Sequence, residues 1–202
     1  KKVKLNCKVC QLVKLYKNGK PFKMSKRAGD FISVQDLLNE VNKDSIRFMM
    51  LNRSNDVELD FDFEKVKEKN KDNPVFYVQY AFARINSIIR SLKKNLTDEI
   101  LVDPKSFNPN KYEEKIIRKI FQWPKIIESA AYKLEPHKIP FYLYELSTLF
   151  HSYWSKGNED SNYRFIENGK VKRMESLIFI YLIAIVVKNG MNILGVSLPE
   201  KM

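Results

Sequence analysis

KDNPVFYVQYAFARINSIIRSL, residues 71 to 92, decides how the rest of the chain is read. Its apolar residues recur at three- and four-residue spacing, so that Val78, Ala81, Phe82, Ile85, Ile88, Ile89 and Leu92 fall on one helical face about 120° wide. That face is expected to pack inward. A second, adjoining stripe carries Asn73, Tyr77, Tyr80, Arg84, Ser87 and Ser91, a mixture of flat rings, a guanidinium and hydroxyls. Unpaired nucleic-acid bases are held by such surfaces, through stacking and hydrogen bonds to their edges. A half-buried boundary between core and solvent would show the same residues.

Downstream, the helical spacing continues over 111–121, 125–134, 141–155 and 171–194, and the first helical stretch is expected to span 64–94. Pro104 and Pro109 mark the loop after it, Pro124, Pro136 and Pro140 separate the next helices, and Gly195 and Pro199 close the last. Upstream the pattern differs. KVKLNCKVCQLVKLYKNGKPFKM, from position 2, reads as a strand, an Asn18-Gly19 hairpin turn and a short strand. Ser33 stands three residues before Asp36 and is expected to cap a short helix, with another in DSIRFMML. The chain is therefore read as mainly α: residues 1–62 end a mixed α/β domain, and residues 63–202 form an all-helical bundle.

With 36 basic against 24 acidic side chains, the 202 residues carry a net charge of +12, which suits a polyanionic partner such as nucleic acid. Lysines that merely solubilise the surface would give the same balance. Cys7 and Cys10 form one isolated C-x-x-C, a poor zinc site, so no bound metal and a reduced, cytoplasmic setting are expected. The longest apolar run, LIFIYLIAIVV at 177–187, falls short of the roughly 20 residues a bilayer needs and is read as a core helix, with no membrane partner. The chain begins without Met and is expected to be a piece of a longer protein.

The hairpin delivers PFKMSKRAGDF, residues 21–31. Lys23 and Lys26 are mobile point charges suited to phosphate oxygens, Ser25 adds a hydroxyl, and Gly29 lets a loop close and reopen. Lys23, Met24, Ser25 and Lys26 resemble, residue by residue, the KMSKS loop of class I aminoacyl-tRNA synthetases, with Arg27 departing where many members carry Ser. Residues 71–85 are similar to the segment that opens the anticodon-binding domain of the arginyl-tRNA synthetases. IRFMMLNR, LDFDFEKV, FYLYELSTLFHSYW and VVKNGMNILGVSLPEKM resemble the same family, each in its expected place along the chain.

This resemblance implies the end of a Rossmann-type catalytic domain followed by a helical anticodon-binding bundle. In the complete enzyme, ATP with Mg2+, arginine and tRNA(Arg) would be the partners. Lys23 and Lys26 would be catalytic and, with Met24 and Ser25, would bind ATP. Tyr77, Tyr80, Arg84, Trp154 and Met202 would contact tRNA, although Trp154 reads equally well as a core anchor and Met202 as a frayed terminus. Phe82 stands where the family usually has His, so apolar packing is expected there. His137 and His151 are the only histidines, and neither belongs to an H-x-G-H element. The fragment alone is thus expected to be inactive in arginine activation, and a non-catalytic tRNA-binding module with a vestigial loop is the alternative.

Overall fold

The computed structural model describes residues 3, 5–22, 32–92, 108–168 and 170–202. The expected phosphate-binding residues Lys23, Met24, Ser25 and Lys26 lie outside them. Asn18 and Gly19 both adopt the positive φ that the tight turn requires, joining β1 (Val13–Lys17) to β2 (Lys20–Pro21) as an antiparallel pair. β3 (Leu59–Asp62) pairs with β1 in parallel, and α1 (Val34–Glu40) and α2 (Lys43–Leu51) lie between them in the chain. Ser33 caps α1 in a full capping box with Asp36, as its spacing predicts. The strand is shorter than expected. Residues 5–12 are irregular and exposed; among the described residues no strand pairs along them, and their few backbone bonds go to Asn55 and to Leu59 at the start of β3.

The bundle consists of α3 (Pro74–Ser91), α4 (Lys111–Phe121), α5 (Trp123–Lys133), α6 (Lys138–Glu159) and α7 (Met174–Leu194), with a small hairpin of β4 (Ile166–Glu167) and β5 (Lys170–Val171) before α7. Helix was expected from residue 64, yet only a 3-10 turn (Lys65–Lys67) forms before Pro74. The side chains of Asn70 and Asn73 compete for the backbone there: Asn70 Oδ1 accepts from Asp72 N, and Asn73 Nδ2 donates to the carbonyls of Val66 and Glu68. Pro74 then starts α3 at a position where its missing N–H is harmless. Pro140 is likewise absorbed in the first turn of α6, so that helix begins before it rather than after.

The predicted core face of α3 is buried at Val78, Ala81, Phe82, Ile85 and Ile88, and half-buried at Ile89 and Leu92. Phe82 packs in the apolar core. α7 ends where expected but begins at Met174 rather than 171, after the β5 strand, and its 21 residues are long enough to cross a bilayer. Its Leu177, Ile180, Ile183, Val187 and Met191 nevertheless point into the bundle, against α3, α4 and α6. Gly190 lets α7 approach α6 closely, since a Cβ there would fall 2.7 Å from Leu143 Cδ2. A smaller core under the sheet holds Leu15, Leu37, Val41, Leu59, Phe61, Phe63 and Val66. α2 serves both: Ile46, Met49 and Met50 face the small core, while Phe48 and Leu51 face the large one.

Candidate nucleic-acid interface

Along α3, the stripe beside the core face emerges at the surface next to the C-terminal half of α6 and to residues 195–202. Tyr80, Arg84, Trp154 and Met202 line one open groove of about 580 Å³, together with Ser87, Ser91, Ile166 and two further cations, Arg90 and Lys201. The Arg84 guanidinium lies over both rings, 4.4 Å from the Tyr80 centroid and 4.9 Å from that of Trp154. Its Nη2 also donates to the Tyr80 hydroxyl. These contacts fix a flat, cationic and aromatic surface. Trp154 is half-buried: Phe150 and Phe165 back it on the core side, and it also lines the groove.

Tyr77 is not among the residues that line the groove. It sits at the edge of the stripe nearest the core face, where α6 packs, and its ring lies 5.3 Å from Tyr144 and 4.3 Å from His151. Burial pushes its phenol above the usual range, with the Tyr144 hydroxyl adding to the rise. Asn73 also leaves the stripe, its side chain spent on the loop before α3. Arg90 and Lys201 were missed by the sequence reading. Arg90 lies just beyond the predicted stripe, and Lys201 reaches the groove only through the path of residues 195–202, which helical spacing does not describe.

Beneath the groove, His151 is buried, with its ring stacked on Tyr80 at 5.6 Å and its Nε2 3.2 Å from the Tyr77 carbonyl. Burial, and after it the Arg84 charge, lower the imidazole to about 4. The ring is therefore neutral near pH 7 and donates through Nε2–H. Because the unfolded chain takes up this proton near the ordinary pKa of 6.5 and the folded chain only near 4, the contribution is complete above pH 6.5 and is lost as pH falls toward 4. The stability advantage of the protein over a His151→Gln variant is expected to shrink across that window in urea titrations. A constant difference would show that His151 does not titrate this way.

Among the described residues, no group of three or more His, Cys, Asp or Glu side chains converges on a possible metal position. Residues 78–202 match the model of the DALR anticodon-binding domain. Over its whole length the chain is 57% identical to an arginine–tRNA ligase of Pelagibacter ubique and 46% identical to one of Rhizobium etli, and it spans 35% of the length of each. Among solved structures it is similar to a proposed arginyl-tRNA synthetase from Campylobacter jejuni, with a TM-score of 0.81 at 28% identity over 96% of this chain and 40% of that one. An arginyl-tRNA synthetase from Thermus thermophilus shares the fold, with a TM-score of 0.65 at 20% identity over 96% of this chain and 35% of the other.

Proposed function

The chain belongs to the DALR anticodon-binding domain family and corresponds to the C-terminal part of the arginyl-tRNA synthetases, and from that premise we propose that its groove holds unpaired anticodon bases of tRNA(Arg). The observation that carries this reading is the convergence of Tyr80, Arg84, Trp154 and Met202, from two helices and a tail, on one cavity beside Arg90 and Lys201. Rings and a guanidinium supply stacking planes, the three cations draw in the backbone phosphates, and the hydroxyls of Ser87 and Ser91 meet base edges.

In the proposed reading, residues up to about 62 finish a class I catalytic domain whose Lys23 and Lys26 steady the phosphates of ATP as arginine is activated. Met24 and Ser25 complete that loop, and Mg2+ arrives with the nucleotide. The reaction as a whole requires the rest of the enzyme, since this chain covers about a third of its relatives. The protein is proposed to work in the cytoplasm, and the apolar face of α7 is satisfied by packing within the bundle.

The test is binding to an anticodon stem–loop of tRNA(Arg) at two salt concentrations, beside a hairpin of the same stem closed without unpaired anticodon bases. Affinity is expected to fall steeply as salt rises, because phosphate contacts release counterions. The cognate loop is expected to bind more tightly than the closed hairpin. Equal affinity for both, or no binding at low salt, would overturn this reading.

A further inference from the structure

Two groove residues, Lys201 and Met202, belong to no helix. Their placement depends on the path of residues 195–202, and that path is held from two sides. Gly195 ends α7 with φ +67, and Val196 N returns to the Met191 carbonyl. From α2, Arg47 Nε donates to the Leu194 carbonyl. Asp44 accepts from Ser197 N at 3.1 Å and from the Ser197 hydroxyl. From α3, Gln79 Nε2 donates to the Ser197 carbonyl at 2.9 Å, and Arg90 Nη1 to the Glu200 carbonyl at 2.9 Å. Arg47 lies so close that a Cβ on Gly195 would fall 2.7 Å from its Nε.

The consequence is a division of labour between the two modules. α2 lies outside residues 78–202, which match the anticodon-binding model, and it packs on the sheet core; yet it supplies two of the four side chains that fix the groove's far wall. We infer that Asp44 and Arg47 are positioning residues for RNA binding: they clamp residues 194–197 so that Lys201 and Met202 close the groove opposite Trp154. This rests on the groove binding RNA, as proposed above. It adds that two residues of the α/β part shape the groove without lining it.

The test is a mutant cycle on the 202-residue protein, read as affinity for the anticodon stem–loop, with the melting temperature followed in parallel. Asp44→Ala is expected to weaken binding about fivefold, the size of one lost hydrogen-bonded restraint. Ser197→Ala, a smaller change that leaves the fold intact, should act in the same direction. In a background that already carries Lys201→Ala and Met202→Ala, Asp44→Ala should have no further effect, because the wall it positions is gone.

A general structural role would instead weaken binding equally in both backgrounds, and that additive result overturns the inference. So does full affinity in Asp44→Ala and Ser197→Ala while Trp154→Ala still weakens binding, an outcome that leaves the groove reading standing. Failure of the unmodified protein to bind the stem–loop removes both readings together.

Discussion

Replacing Glu113 with Ala is expected to destabilise the protein by about 3 kcal/mol. Glu113 is fully buried in the first turn of α4. Its Oε1 accepts from the Tyr153 hydroxyl at 2.9 Å and the Ser176 hydroxyl at 2.8 Å, while Oε2 accepts from Asn110 N at 2.8 Å and faces Arg173 Nη1 at 3.3 Å. Four elements meet on one carboxylate: the Asn110 cap, α6, the start of α7 and the residue before it. Ala would leave the buried hydroxyls of Tyr153 and Ser176 short of their acceptor, and among the described residues Arg173 would have no other ion-pair partner. Burial holds the Tyr153 phenol above its usual range, and its buried hydroxyl donates to that acceptor.

Glu113→Gln separates charge from shape. Its amide NH2 would confront Asn110 N–H and Arg173, donors against donors, while Oε1 would still accept from the two hydroxyls. Roughly half the loss is expected for Gln, about 1.5 kcal/mol. Urea denaturation of the three proteins measures this, and for a chain of this size the Ala variant should melt roughly 6–12 °C lower. A loss under about 1 kcal/mol for Ala would mean that water replaces the carboxylate and that the network contributes little.

The cluster around Glu113 also marks what can be read from a sequence and what cannot. Asn110 and Glu113 have capping-box spacing, a local signal, and the same logic located Ser33 and Asp36 correctly. Tyr153, Ser176 and Arg173 come from 40 or more residues away, and no periodicity announces them. The α3 faces were legible because burial follows a 3.6-residue repeat. Asn73 left the expected stripe because the loop just before α3 claimed its side chain, and Tyr77 lies outside the groove because it packs on α6, a tertiary partner. The strand expected across Cys7 and Cys10 does not form: among the described residues no strand pairs with it. Alternation is a property of one segment, whereas pairing needs two.

Trp154→Ala is expected to weaken anticodon stem–loop binding by about 1–3 kcal/mol while the fold persists. The reasoning starts from the stack in the free protein. Phe76 lies 5.7 Å from Tyr80 in a stacked arrangement, Arg84 covers Tyr80, and the same guanidinium covers Trp154. Arg84 thus lies between two rings much as a base would, and each plane is held by the next. In the proposed reading, loss of the indole removes a stacking surface for RNA and frees Arg84 to swing. The remaining core contacts of the site run through Phe150 and Phe165, both buried, so unfolding should not follow. If the variant unfolds, Trp154 is a core anchor and its place in the groove is incidental.

Arg84→Lys then distinguishes charge from planarity. Lysine keeps the cation that attracts phosphates but offers no flat face to stack. If the groove works by stacking, Arg84→Lys should approach Arg84→Ala in affinity and keep nearly the wild-type dependence on salt. Were Lys to restore full affinity, the guanidinium would act through its charge alone, and stacking would be left to Tyr80 and Trp154.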